Sequence, residues 1–289
     1  MKTQFSKVIQ GCMTWGAWGK QLSKSEMVNL MHHDIECGIT SFDHADIYGD
    51  YTTEIAFGNA LAESKINRES IEIISKCGIQ YVGKTRNNAI KHYQYDAEYI
   101  IWSAEKSIKD LQCDYLDLLL LHRPSPLMHP DEIAKAIEKL TSEGKIKNFG
   151  ISNFTPSQME LVGSKNRIEF NQIEFSLTTH HAMFDGTLDY LIQHKITPMC
   201  WSPLGSAFKE RNDQTYRIHS VLDALSEKYS ATKDQLVLAW IMKHPSGIHP
   251  VIGTTNKERI KNAAEATKIE LTDVDWFQLL VASQGHKVP

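Results

Sequence analysis

The sequence predicts an α/β chain folded as a single (β/α)₈ TIM barrel, and three observations lead there. Eight short apolar runs alternate with amphipathic stretches along the 289 residues. The runs are continuously apolar and β-branched or leucine-rich, as strands covered on both faces must be. No GxGxxG follows the first run, which removes the usual dinucleotide fingerprint of the open, doubly wound alternative. Barrels of roughly 250 residues form one unit, and no Gly/Ser/Pro-rich linker breaks the chain. The expected domain therefore spans residues 1–289.

The predicted strands, in order, are Val8–Ile9, Thr40–Phe42, Ile71–Ser75, Tyr115–Leu121, Phe149–Ile151, Phe170–Ile173, Ile196–Cys200 and Ile248–Val251. Helices fall between them. Ser23 and Glu26 form a capping-box pattern ahead of Met27, Leu30, Met31 and Ile35, and Gly38 reads as the stop. Asp96–Leu111 places Ile100, Ala104, Ile108 and Leu111 on one stripe, and Asp131–Gly144 does the same with Ile133, Ile137 and Leu140. Strand–helix alternation of this kind implies a parallel sheet.

Composition narrows the function classes. Net charge is −4, with Lys and Arg scattered, so neither nucleic acid nor an anionic membrane is expected as partner. The five cysteines (Cys12, Cys37, Cys77, Cys113, Cys200) are far apart and contain no CxxC pair, which argues against a disulfide framework or thiolate zinc site. The stretch Met1–Gly11 has no signal-like apolar run, and no segment approaches the roughly 20 apolar residues of a membrane span. A cytoplasmic location is the expectation, with no obligate protein partner implied.

Functional groups of such barrels collect where strands end and loops into helices begin. Those positions carry Asp43, His44 and Tyr48 after the second strand, Lys76 after the third, and His122-Arg123 after the fourth. Tyrosine is a poor acid near neutrality, its reference pKa being about 10. A lysine ammonium beside it favours the phenolate and should lower that value. A carboxylate would hold the lysine charged, and a histidine could orient a carbonyl oxygen. Together the four make Tyr48 a candidate proton donor to a developing alkoxide. Any one of these residues alone reads more simply as structural, and Asp43 with Lys76 could be only a buried ion pair. Their gathering at one barrel end is what carries the argument.

With those residues in view, the chain resembles the aldo-keto reductases over nearly its full length, and most closely their compact bacterial branch. Phe42-Asp-His-Ala-Asp-Ile-Tyr48-Gly49 is similar to that family's Asp-to-Tyr signature, and Ser75-Lys76 and Leu121-His122 to its lysine and histidine sites. Gly150-Ile-Ser152-Asn153-Phe154, Asn171-Gln172-Ile-Glu174 and Trp201-Ser202-Pro203-Leu204-Gly205 continue the likeness in order. The resemblance implies a catalytic tetrad of Asp43, Tyr48, Lys76 and His122, no metal, and NADPH-dependent reduction of aldehydes or ketones by hydride transfer. It also implies that Ser152, Asn153 and Gln172 hold the carboxamide, that Trp201 stacks on the nicotinamide, and that Ser202, Leu204 and Gly205 line the pyrophosphate. Gly253, Thr254, Thr255, Arg259 and Asn262 would grip the adenosine end. Hydroxyls and an arginine at a helix N-terminus also suit a 2′-phosphate on physical grounds. Gly253 stands where many relatives carry lysine and Ala263 where many carry asparagine, so NADH is the alternative cofactor.

Trp15, Trp18 and Arg123, with the long polar loop 78–95 and its Tyr81, Tyr93 and Tyr95, are the expected substrate wall. The substrate itself is expected to be a small carbonyl compound. Neither His32-His33 nor His180-His181 has a partner at ligand spacing, so no metal is expected. Cys77 reads as packing rather than as a nucleophile. Two competing functions remain at this level. One is a Schiff-base barrel using Lys76, opposed by the carboxylate that keeps it protonated. The other is a non-catalytic, cofactor-sensing subunit.

Overall fold

The computed structural model describes residues 5–289, so residues 1–4 of the N-terminal stretch, and of the expected domain, lie outside it. Eight parallel strands close into a barrel: β1 (Ile9–Gly11), β2 (Ser41–Asp43), β3 (Glu72–Cys77), β4 (Leu118–Leu121), β5 (Phe149–Ser152), β6 (Phe170–Glu174), β7 (Thr197–Trp201) and β8 (His249–Ile252). Each pairs with its neighbours in sequence, and β8 returns to β1 through Ile9 opposite Val251 and Gln10 opposite Ile252. Every predicted strand is present, displaced by at most a few residues.

Among the described residues, ten helices of eight or more residues accompany them: α1 (Lys24–Glu36), α2 (Thr53–Ser64), α3 (Ala97–Asp110), α4 (Pro130–Ser142), α5 (Pro156–Gly163), α6 (Thr187–His194), α7 (Asp213–Tyr229), α8 (Lys233–Met242), α9 (Lys257–Glu265) and α10 (Asp273–Gln284). The capping box at Ser23 forms as expected, with Glu26 returning to the Ser23 N–H at 2.8 Å. Asp96 caps α3 by accepting from the Tyr99 N–H.

Two apolar layers hold the barrel. Val8, Phe42, Ile73, Leu119, Leu121 and Cys200 pack outward against the helices. Phe5, Ile9, Ile74, Leu118, Leu120, Phe170, Met199 and Val251 fill the interior. Side chains alternate along a strand, so the inward set continues two residues on. Ile74 is followed by Lys76, Leu120 by His122, Phe170 by Gln172 and Met199 by Trp201. The barrel is thus plugged by hydrocarbon below and lined by polar groups at its C-terminal end.

The loop 78–95 is more ordered than the sequence suggested. Ile79–Gln80 and His92–Tyr93 pair antiparallel as a small hairpin that stands over that end of the barrel.

Candidate active site

β2 delivers Asp43 and β3 delivers Lys76 to the barrel interior, and both are buried. The Lys76 ammonium donates to Asp43 Oδ2 at 2.8 Å, to the His44 carbonyl at 2.8 Å and to the Tyr48 hydroxyl at 3.1 Å. The second carboxylate oxygen of Asp43 accepts from Gln172 Nε2 at 2.8 Å, so both oxygens have partners. The ammonium is therefore fully coordinated by oxygen, one of which belongs to Tyr48. His122 closes the group, its ring edge-on to Tyr48 with centroids 6.2 Å apart. Its Nδ1 is buried without a hydrogen-bond partner, and the ring makes no hydrogen bond to the described residues.

Burial and charge decide the protonation states. Burial alone would lower the Lys76 pKa, but Asp43 and Tyr48 outweigh it and hold the ammonium above its ordinary range. Burial raises the Tyr48 phenol, Lys76 pulls it down and Asp43 pushes it up again. The net direction is upward, so the expectation that Lys76 would bring Tyr48 below its reference value is corrected: desolvation wins. Burial drives His122 well below the usual imidazole range, and the cations Lys76, Arg123 and Lys91 add to this. The set at neutral pH is thus a neutral phenol, a charged ammonium and a neutral imidazole.

The ends of β5, β6 and β7 make the neighbouring face. Ser152 Oγ donates to the Gln172 carbonyl at 2.8 Å, and Asn153 Nδ2 donates to Ser152 Oγ at 2.7 Å. Asn153 sits at φ +61° and accepts from the Trp201 indole N–H at 3.0 Å, which fixes the half-buried Trp201 ring. Gly205 has φ +51°, and a Cβ there would meet Thr178 Oγ1 at 2.1 Å, so the turn Ser202–Gly205 requires glycine. Ser202 is exposed within that turn and Leu204 is half-buried against the core.

After β8, the Gly253 and Thr254 carbonyls accept from Thr14 Oγ1 and Gln10 Nε2. Asn256 then caps α9 through the Arg259 N–H at 3.0 Å. Arg259 is exposed on the first turn, with Thr255 and Asn262 half-buried nearby in sequence. Nothing lies within 4 Å of a Cβ built on Gly253. Space at that position would admit a longer side chain.

The proposed substrate wall divides. Trp18 is 36% exposed, 6.3 Å from the Tyr48 ring and 5.0 Å from Tyr81. Arg123 lies with its guanidinium 5.4 Å from the Trp201 ring centre and no ionic or hydrogen-bonding partner for it among the described residues. Its backbone is held at both ends by the Tyr95 hydroxyl, which donates to the Arg123 carbonyl at 2.6 Å and accepts from its N–H at 3.2 Å. Trp15 does not belong to the wall. It is fully buried in the outer core against Phe42 and Phe57, because the loop after β1 turns that indole beneath the barrel's helical shell.

Sequence reasoning also missed Asp46 and Asp50, which flank Tyr48 and bind the hairpin. Their only signal was a pair of carboxylates inside the signature loop. His32 and His33 each turn Nε2 to a backbone carbonyl, of Ser64 and of Lys257 respectively. Among the described residues no three His, Cys, Asp or Glu side chains gather as a metal site would need.

This barrel end, with its Lys–Asp–Tyr–His cluster, is the arrangement of a barrel oxidoreductase, and comparison with known proteins gives the family. The Aldo/keto reductase family pattern matches residues 7–280. The oxidoreductase YdhF of Escherichia coli is 40% identical over 99% of this chain and 96% of its own. The 6-dehydroglucose reductase of Agrobacterium fabrum is 39% identical over 99% of this chain and 97% of its own. Among solved structures, an aldo-keto reductase from Klebsiella pneumoniae in complex with NADPH superposes with a TM-score of 0.80 at 26% identity, covering 95% of this chain and 90% of that one. The chain belongs to the aldo/keto reductase family and is an oxidoreductase. Among the described residues, no helix is long and apolar enough to cross a membrane.

Proposed function

We propose that the protein reduces aldehydes or ketones to alcohols with NADPH, and that Tyr48 supplies the proton. The observation that carries this reading is the Tyr48 hydroxyl within 3.1 Å of a buried ammonium that Asp43 holds in place. The Klebsiella relative binds NADPH by its description, and the residues here suit the same molecule. The bonded row Asn153–Ser152–Gln172 offers an amide-reading edge, and the exposed Ser202 opens the turn to Gly205 with a hydroxyl presented to solvent. The exposed Arg259 at a helix N-terminus suits a phosphate.

When bound, that cofactor supplies a hydride to the carbonyl carbon. Charge then develops on the carbonyl oxygen, and this chain's own residues handle it. His122 has no hydrogen bond to the described residues and is neutral, so it can donate one to the carbonyl oxygen and orient it. Tyr48 gives up its proton as the alkoxide forms, and Lys76 stabilises the phenolate that remains. Asp43 and Gln172 keep the ammonium from swinging away. The raised pKa of Lys76 counts against Schiff-base chemistry, which needs a neutral amine.

Arg123, over the Trp201 ring and with no hydrogen-bonding or ionic partner for its guanidinium among the described residues, provides donors for oxygen-rich substrates. The Agrobacterium relative is named for an oxidised sugar, and hydroxylated aldehydes lead the substrate set on both grounds.

The test is Tyr48→Phe, which keeps the ring and removes the hydroxyl. NADPH affinity should stay nearly unchanged while turnover falls by about a hundredfold or more, the usual scale for general acid catalysis. Lys76→Met should act through the same step, so the double variant should be little worse than the weaker single one. Near-normal turnover in Tyr48→Phe would sink the mechanism.

A further inference from the structure

The residues after Tyr48 are held in a conformation they would not choose alone. Gly49, Asp50 and Tyr51 have φ of +62°, +58° and +65° in succession. Three left-handed residues in succession, one of them the bulky Tyr51, are disfavoured in an L-chain, and such geometry persists only where surroundings over-determine it. Here much of the fixing comes from one place, the 79–93 hairpin. Asp50 Oδ2 accepts from the N–H groups of Lys84 at 2.7 Å and Thr85 at 3.1 Å. The Tyr51 hydroxyl accepts from the Tyr81 N–H at 2.9 Å and donates to the Ile79 carbonyl at 3.3 Å.

On the other side of Tyr48, Asp46 faces Arg86 of the same hairpin, with Nη2 and Oδ2 4.0 Å apart. The Arg86 guanidinium lies 3.6 Å from the Tyr51 ring centre and 4.9 Å from that of Trp102, and donates to the Tyr99 hydroxyl at 3.1 Å. Asp46 Oδ2 accepts from Ser103 Oγ at 3.1 Å and from Tyr99 at 3.4 Å, both on α3. The segment 46–51 is therefore clamped on both sides of Tyr48 by carboxylates bound to, or facing, one hairpin. Tyr81 of that hairpin also packs on Trp18, which neighbours Tyr48.

We propose that Asp50 and Arg86 are positioning residues: they fasten the 79–93 hairpin to the loop carrying Tyr48, so that one joint sets both the proton donor and the adjoining substrate wall. The proposal rests on Tyr48 as proton donor. Neither residue touches the reacting atoms. Their effect is on where the phenol stands, and a displacement of about 1 Å at a reacting group can cost a hundredfold in rate.

The experiment compares Asp50→Gly, Asp50→Asn and Arg86→Met with the parent and with Tyr48→Phe. Glycine accepts φ +58° without strain, so a defect in Asp50→Gly reports the lost carboxylate rather than the backbone. Asparagine keeps an acceptor and tolerates the left-handed region. Activity is read with NADPH on DL-glyceraldehyde and on 4-nitrobenzaldehyde, and hydrogen exchange is followed in the peptides covering 44–52 and 79–93.

In Asp50→Gly and Arg86→Met, exchange should quicken in both peptides together, and kcat should fall about tenfold or more on both aldehydes. NADPH affinity should stay within about twofold, and Asp50→Asn should recover most of the rate. The proposal is overturned if the hairpin loosens while 44–52 and kcat stay unchanged, or if Asp50→Asn is as impaired as Asp50→Gly. An active Tyr48→Phe would count instead against the proton-donor reading, while the exchange data would still decide whether the joint exists.

Discussion

Tyr48 stands 3.1 Å from the Lys76 ammonium inside a buried cluster, and two opposed effects, charge and lost solvent, act on its phenol. Its partners were legible, because Asp43, Lys76 and His122 each end a strand and strands end at one rim. Its acidity was not. The sign depends on how much solvent the phenol loses, and burial overrides the ammonium 3.1 Å away. That sign has a consequence for pH. A tyrosine whose pKa lies above its ordinary value of 10.0 keeps its proton throughout the neutral range and loses it only as pH rises through the shifted value. Lys76, also raised, stays charged over the same span. His122, driven well below 6.5, stays neutral above that value. Burial raises the Asp46 carboxyl of the adjoining clamp to about 7, so the reductive kcat/KM should be flat above that step, from about pH 8 to pH 9, with neither limb of a bell inside that window. A pH–rate profile with an apparent pKa between those limits would assign the acid to another group.

Among the elements, the barrel strands were the most legible part of the chain. Buried on both faces, they read as unbroken apolar runs, and the helices between them carry ordinary caps. What failed was direction inside loops. Trp15 stands a few residues past β1, close in sequence to the site, yet its indole points into the outer core between Phe42 and Phe57. Distance along the chain does not say which way a loop side chain turns. The two-residue strands of the hairpin were invisible for a related reason: such short pairs show no periodicity. Close approach between strands is equally silent in sequence. A Cβ on Gly150 of β5 would lie 2.6 Å from Leu120 Cδ2 and 2.6 Å from the Phe170 carbonyl oxygen, on the strands to either side. One of these obstacles is backbone and cannot step aside. Gly150→Ala should then cost about 1–3 kcal/mol by overpacking, seen as a melting temperature several degrees lower. An unchanged melting curve would mean that β4, β5 and β6 have slack to part.

At the scale of the molecule, the site is assembled from far-apart stretches, and closure of the barrel brings them together. Asp43 and Gln172, hydrogen-bonded at 2.8 Å, are 129 residues apart in sequence. The proposed cofactor contacts run from Ser152 on β5 to Asn262 on α9, and the loop after β8 is tied to β1 through Gln10 and Thr14. A ligand spanning these elements binds the folded barrel and not the open chain, so it should stabilise the whole fold by mass action. At about a hundred times its dissociation constant the gain is about 2.7 kcal/mol. Arg259 gives this linkage a handle, since its exposed charge is proposed to face the phosphate that distinguishes NADPH from NADH. A charge-assisted contact is worth about 1.5–3 kcal/mol, so Arg259→Ala should lose about tenfold or more in NADPH affinity. The melting-temperature rise given by NADPH should shrink accordingly, while that given by NADH should stay the same. The apo variant should melt with the parent, because the side chain is exposed. Equal losses for both cofactors in thermal-shift titrations would show that Arg259 does not read that phosphate.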